Sequence, residues 1–267
     1  MAKIKVYSKQ LAYPYVDEVE WEFVRECPVC GGRDFSLYWK EKIEGDYPLD
    51  WWECSKCTLV FLSPRMSDRY TDFFYANHYN VHHVLRDEEI MRQELRANIF
   101  NELRIASNIQ PKRHLDIGAS VGRMGSIISE QSGCESVGEE PDDTFRNYGI
   151  EKYGANLVKT LDELEGKFDL ITMSHVLEHF NHPSEFIQNL KKYMTDDCDI
   201  MIEVPNGEAW EASFKLYHPL VFKDTSLKAF LTLNGFQPKM VAKHRIPLFD
   251  SPVLRYLDVV AKRKPPE

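Results

Sequence analysis

Four cysteines fall into two tight pairs, Cys27-Pro28-Val29-Cys30-Gly31-Gly32 and Cys54-Ser55-Lys56-Cys57, with 23 residues between the pairs. Four thiolates on two tight turns make the tetrahedral donor set that zinc prefers. Gly31 suits the positive φ of such a turn, and Thr58 holds the matching place after the second pair. The expected metal ligands are therefore Cys27, Cys30, Cys54 and Cys57. Four protein ligands leave no open position, so the metal is expected to be structural. A redox dithiol would need only one such pair.

A second constellation begins at Leu115-Asp116-Ile117-Gly118-Ala119-Ser120-Val121-Gly122. A short apolar run enters a turn of small residues and then a helical pattern. Small residues let the backbone approach a ligand closely, and a helix start offers free N–H groups to an anion. The spacing is Asp-x-Gly-x-Ser-x-Gly, not the Gly-x-Gly-x-x-Gly of dinucleotide binders. The next apolar run ends in Val137-Gly138-Glu139-Glu140-Pro141, and Glu140 lies 24 positions after Asp116. That is the length of one strand–helix–strand step. A carboxylate there can accept two hydroxyl protons at once.

A third group is Ser174-His175-Val176-Leu177-Glu178-His179-Phe180. His175, Glu178 and His179 match His-x-x-Glu-His, a zinc peptidase signature. That chemistry needs a continuous helix. Here the segment follows a buried strand pattern, and Asn181-His182-Pro183 interrupts a helix soon afterwards. A metallopeptidase is therefore not expected.

The elements that must hold these groups alternate. Candidate strands are His114–Ile117, Ser136–Glu139, Phe168–Met173 and Ile200–Val204. Candidate helices lie near Val121–Gln131, Asp142–Tyr153 and Ser184–Met194. Asp224 is expected to cap a further helix through Leu227, Phe230 and Leu231, with Asn234-Gly235 as its stop. Two more segments lie near Met240–Lys243 and Leu254–Val260. Before them, Arg86–Ile109 shows Met91, Leu95, Ile99 and Leu103 every four residues, with Phe100 and Ala106 beside them, a helical period ended by Pro111. This alternation argues for an α/β chain with a mainly parallel, doubly wound sheet. Ahead of it, the first 80 residues read as short strands rich in aromatic residues, turns and cysteines. The expected division is 1–80 as a zinc-ribbon domain, 81–110 as a linking helix, and 111–267 as the larger domain.

The chain has 267 residues, 43% of them hydrophobic, enough for a real core. Its net charge is -9, and the first 80 residues carry 10 Lys and Arg against 13 Asp and Glu. That balance opposes general attraction to nucleic-acid phosphates. There is no apolar run of about 18 residues and no apolar leader. The expected partner is thus a small molecule rather than nucleic acid or membrane, in a cytoplasmic protein.

The Asp116–Gly122 loop and Glu140 together resemble the first motifs of class I S-adenosylmethionine-dependent methyltransferases, with Ser120 where that family usually has Gly. Phe168-Asp169-Leu170-Ile171 followed by Val176-Leu177-Glu178-His179 resembles the stretch after their fourth strand. The resemblance implies a Rossmann-like methyltransferase sheet and S-adenosyl-L-methionine as cofactor. It implies that Asp116, Gly118, Ala119, Ser120 and Gly122 hold that cofactor, that Glu140 binds its ribose hydroxyls, and that backbone at Ser174 and His175 lines its methionine part. Glu178 and His179 would face the active-site floor or hold its loop.

The cysteine pairs, the run Leu59–Arg65 and the aromatic stretch Phe73–Tyr79 resemble the N-terminal zinc domain of methyltransferases from sugar and polysaccharide biosynthesis. C-methylating members of that family carry Tyr-His-Glu-His, whose last His is the proposed base. The corresponding residue is His218, with Tyr217 at the Glu position and Lys215 at the first Tyr position. These departures favour O-methylation, or N-methylation, over C-methylation. The expected catalytic residues are His218 first, then His179, with Glu178 beside them. His78, His82 and His83 lie near the expected domain junction. The expected acceptor is a small carbohydrate or nucleotide-linked sugar. An RNA-modifying enzyme with the ribbon as reader, and a non-catalytic cofactor-binding scaffold, are the alternatives.

Overall fold

Short apolar runs alternating with amphipathic segments call for helices layered on a sheet. The computed structural model has that architecture, and describes residues 7–8, 11–12, 20–43, 47–75, 87–209, 214–245 and 255–265. The first labelled strands are β1 (Phe35–Ile43), β2 (Tyr47–Cys54) and β3 (Val60–Leu62). Helices α1 (Asp68–Phe74) and α2 (Asp87–Ala106) follow. Then come β4 (Arg113–Ile117), α3 (Arg123–Ser132), β5 (Glu135–Glu139), α4 (Asp143–Tyr153), β6 (Leu157–Val158) and β7 (Phe168–Ser174). The chain continues through α5 (Pro183–Leu190), β8 (Met194–Pro205), β9 (Leu220–Val221), α6 (Asp224–Leu233), β10 (Phe236–His244) and β11 (Tyr256–Arg263).

The main sheet has seven strands in the order β6-β5-β4-β7-β8-β11-β10. The first five run parallel, and β11 is antiparallel to both β8 and β10. From β4 the chain winds outward to β5 and β6, then crosses back to β7 on the other side. The carboxyl ends of β4 and β7 therefore flank a topological switch point, where open α/β sheets bind ligands. Leu115, Leu170, Ile171, Ile200 and Ile202 are fully buried in these strands. Strands covered on both faces read as nearly continuous apolar runs, which is why the four expected strands were visible in the sequence.

Helix ends follow local chemistry. Asp142 caps α4, its side chain accepting from the N–H groups of Thr144 (2.7 Å) and Phe145 (3.0 Å). The start of α6 differs from expectation. Asp224 is the first helical residue, and the Lys223 N–H donates to Ser226 Oγ at 2.8 Å in place of an Asp224 cap. Helix α2 is present, but its buried stripe is Ala97, Phe100, Asn101 and Arg104, with Met91 exposed. Arg104 can be buried because its guanidinium donates to Asn101 Oδ1 and to the Ile109 carbonyl. Of the two tail segments, Met240–Lys243 lies on β10 and 256–260 on β11, while Leu254 lies outside the described residues.

The expected boundary at residue 80 falls outside the described residues. The cysteine-rich part and the main sheet share structure around it. Strand β9 adds to the first sheet, giving the antiparallel order β9-β3-β2-β1. Leu59 and Phe61 belong to the same buried cluster as Leu177, Leu220 and Phe222. Arg65 donates to the Asn181 carbonyl at 2.8 Å, and Asn181 donates to the Met66 carbonyl and to Asp68.

Candidate functional site

The loop leaving β4 turns through three left-handed residues, Gly118 (φ +66°), Ser120 (φ +51°) and Gly122 (φ +76°). Glycine adopts this region freely, whereas a residue with a Cβ resists it. A Cβ on Gly118 would lie 2.7 Å from Val176 Cγ2, so the loop packs tightly on the segment after β7. The non-glycine corner at Ser120 is held from two sides. Its N–H donates to Glu140 Oε2 at 2.8 Å, and its hydroxyl accepts from Gln93 Nε2 at 2.8 Å. Gln93 lies on α2 and was not foreseen, because nothing in its local sequence marks it.

Glu140 is buried, and its Oε1 accepts the Asp142 N–H at 2.8 Å. Burial pushes its carboxyl up to about 7, against the pull of the two backbone donors. Asp116 is also buried and also raised to about 7 by burial, against its hydrogen bond from Thr172. That bond is 2.6 Å long and begins a chain. Thr172 gives its proton to Asp116, so it accepts from His114 Nε2 (2.8 Å), and His114 Nδ1 accepts from Ser136 (2.9 Å). Burial lowers the His114 pKa to about 3, so the ring is neutral. Asp116 thus anchors the loop's first strand to β7, and Glu140 ties the loop to β5. A cavity of about 210 Å³ borders Asp116, Ala119, Gly122, Gly138 and Leu157. It is smaller than the ~300 Å³ of a small-ligand site, and neither Glu140 nor Ser174 lines it.

Past β7 the chain does not form the helix a zinc peptidase needs. Leu177–His179 is a single 3₁₀ turn, entered through His175 at φ +57°. The two histidines consequently diverge. His175 Nδ1 lies 3.0 Å from Glu178 Oε1, and its Nε2 lies 3.2 Å from Glu203 Oε1. Burial and Arg96 oppose charge on His175, but Glu178 and Glu203 outweigh them and raise its pKa. His179 turns instead toward Tyr75 and the Tyr217 carbonyl, 2.9 Å from its Nδ1. Burial lowers the His179 pKa.

The three expected catalytic residues come together. Glu178, His179 and His218 each place a donor atom within 4.8 Å of the others. The rings of His179 and His218 meet edge-on with centroids 4.8 Å apart, and His179 stacks on Tyr217. Tyr75, just beyond α1, donates to the Tyr217 carbonyl at 3.2 Å and hydrogen-bonds His179 Nδ1. The aromatic stretch Phe73–Tyr79 had marked this region, though not this contact. His78, His82 and His83 lie outside the described residues.

The four cysteines also converge. Cys27 and Cys57 sulfurs are 3.5 Å apart, as are those of Cys30 and Cys54. Zinc–sulfur bonds of about 2.3 Å place tetrahedral sulfurs about 3.8 Å apart, so the set fits that ion with small adjustments. The two turns are alike. The Gly31 N–H donates to the Cys27 carbonyl and the Thr58 N–H to the Cys54 carbonyl, both at 2.9 Å. Gly31 and Thr58 occupy equivalent left-handed positions (φ +65° and +61°). A hydrogen bond from Cys57 draws the Cys27 thiol down to about 5, ready to serve as a thiolate.

Against known proteins, a family model described as a methyltransferase domain matches residues 87–238, more than half of the chain. A ubiquinone biosynthesis O-methyltransferase of Shewanella halifaxensis (strain HAW-EB4) is 34% identical over 104 residues. That match covers 35% of this chain and 43% of the relative, so the chain spans less than half of the relative's length. Among solved structures, the magnesium protoporphyrin IX methyltransferase of Synechocystis PCC 6803 with bound SAM aligns at a TM-score of 0.53 and 15% identity, over 73% of this chain and 96% of that one. The plantazolicin methyltransferase BpumL in complex with SAH aligns at 0.50 and 16% identity, over 73% and 90%. These two likenesses are of fold.

Proposed function

The chain belongs to the methyltransferase-domain family, and we propose that it transfers the methyl group of S-adenosylmethionine to an oxygen of a small acceptor. The observation that carries this reading is the tie between Glu140 and Ser120 beside the switch point. It sets a buried carboxylate beside a left-handed loop at the carboxyl end of β4. Glu140 would accept the two ribose hydroxyl protons, and the loop from Gly118 to Gly122, Ala119 included, would pack against the cofactor. Asp116 would hold the loop's strand in place, and backbone at Ser174 and His175 would line the methionine end.

The bound cofactor would supply an electrophilic methyl group on a sulfonium. The protein's part is to align an acceptor hydroxyl with it and to take the hydroxyl proton. His179 suits the second task. Its Nδ1 faces a carbonyl oxygen, which can only accept, so Nδ1 carries the hydrogen and Nε2 holds the basic lone pair. Its lowered pKa keeps the ring neutral and able to receive a proton. It is also less buried than His218, and so better placed to meet an acceptor. His218 would set the other wall, and Glu178 would balance the charge that forms on His179.

A small carbohydrate or nucleotide-linked sugar is the proposed acceptor. Support comes from the cysteine-rich part, which supplies Tyr75 to the histidine cluster, and from the resemblance of the Tyr217-His218 segment to sugar methyltransferases. Zinc is the proposed ion of the four cysteines, in a structural role. The test is methyl transfer from labelled S-adenosylmethionine to a panel of sugar and sugar-nucleotide acceptors. Turnover lost in His179→Ala, with cofactor binding retained, is expected. Turnover unchanged in that variant would sink the assignment of the base.

A further inference from the structure

A second group of titratable side chains lies beyond the histidine cluster, on the part of the sheet where β8, β11 and β10 meet. Glu203 on β8 stands directly opposite Asp258 on β11, in antiparallel register. His244 closes β10 one strand further on. One donor atom from each of the three lies within 4.8 Å of the other two. Glu203 and Asp258 are almost wholly buried, while the His244 side chain is 16% exposed and gives a way in.

Glu203 Oε2, His244 Nε2 and Asp258 Oδ1 are buried, and none has a hydrogen-bond partner among the described residues. His244 Nε2 lies 3.2 Å from Glu203 Oε2, without the alignment of a hydrogen bond. Nitrogen and oxygen ligands at about 2.1 Å from one tetrahedral ion stand about 3.4 Å apart, close to that separation. The other ring nitrogen, Nδ1, bonds Asp258 Oδ2. That contact sets Asp258 against one ring nitrogen and Glu203 near the other, so the two carboxylates flank the imidazole.

The surroundings are charged. Glu178, Glu203 and Asp258 are buried carboxylates in or against the cluster. Arg96 on α2 and His175 at the end of β7 each lie 3.2 Å from Glu203. Buried charge must be paired, by a divalent cation or by protons on the histidines.

We propose that Glu203, His244 and Asp258 bind a divalent cation through carboxylate oxygen and imidazole nitrogen. This donor set suits Mn²⁺, Fe²⁺ or Zn²⁺ and differs from the thiolate set of the four cysteines. Three protein ligands leave coordination positions open to water or to an oxygen donor.

The test is titration with Mn²⁺ of the full chain carrying a single equivalent of zinc, enough for the four cysteines alone, followed by the electron paramagnetic resonance signal of the free ion. Mn²⁺ avoids thiolate sites, so the cysteines are silent. One Mn²⁺ bound per chain is expected, with affinity reduced at least about tenfold in His244→Gln and in Asp258→Asn and kept in His218→Gln. Circular dichroism establishes that each variant is folded. Failure of the folded wild type to bind Mn²⁺ would overturn the proposal and leave the protonated form. Binding lost in His218→Gln but kept in His244→Gln would also overturn it, by placing the ion in the Glu178–His179–His218 cluster.

Discussion

The Glu140 carboxylate accepts the backbone N–H of Ser120 at 2.8 Å, tying the end of one strand to the left-handed corner that follows its neighbour. The loop and the acidic residue expected to grip a nucleoside are therefore one unit. Moving either moves the other, and the titration of one is felt by both.

Cofactor affinity is expected to rise with pH. Burial raises the Glu140 carboxyl to about 7, and the ionised form is the better acceptor for two hydroxyls. Binding of S-adenosylhomocysteine, measured by calorimetry from about pH 6 to about pH 8, should strengthen across that range. The dependence should flatten in Glu140→Gln. A flat profile in the wild type would remove Glu140 from the site.

Stability is expected to run the other way. Asp116 and Glu140 both hold protons in the folded chain that the unfolded chain has already released. Their contribution is fully present below their unfolded values near 4. It is lost as the pH climbs through the folded values of about 7. Asp116→Asn, which keeps an oxygen for Thr172, should flatten that decline in urea melts taken between about pH 4.5 and about pH 8. An unchanged slope would contradict the buried, proton-holding state of Asp116.

Tyr75 is expected to act as a positioning residue for His179. Its hydroxyl meets both His179 Nδ1 and the Tyr217 carbonyl. In Tyr75→Phe the ring remains and the hydrogen bonds go, so kcat should fall by about tenfold while the KM for the cofactor holds. The acid limb of the kcat–pH profile should shift as well. A loss confined to thermal stability would show that Tyr75 merely packs there.

Removing the zinc proposed for the cysteines should destabilise the whole chain. Leu59 and Phe61, next to Cys57, share one buried cluster with Leu177 and Phe222. Strong chelation, or Cys54→Ser, should lower a single melting transition. Two separate transitions would mean that the cysteine-rich part unfolds alone.

Much of the fold was legible in the sequence because its signals are local. Leu115 and Ile171 sit in apolar runs, and Gly118, Gly122 and Gly235 mark left-handed turns. His179 and His218 were each singled out through resemblance, and their rings meet in the fold. What escaped were contacts made at long range. Tyr75 reaches His179 across 104 positions, and Leu220–Val221 completes a sheet begun by Phe61 and Val60. Period alone also misplaced the buried face of α2. Arg104 satisfies its own guanidinium within the helix and its exit, so a charged residue could take an apolar place. Glu203, His244 and Asp258 sit on three strands whose pairing no local pattern announces.

The proposed activity requires S-adenosylmethionine to bind at the Gly118–Gly122 loop with its ribose on Glu140. Calorimetric titration of the folded, zinc-loaded chain with the product S-adenosylhomocysteine, beside Glu140→Ala, tests it most directly. One-to-one binding in the micromolar range, weakened about 10- to 100-fold in the variant, is the expected result, since hydrogen bonds to a charged group contribute about 1.5–3 kcal/mol. No binding by the wild type, or equal binding by the variant, would contradict it.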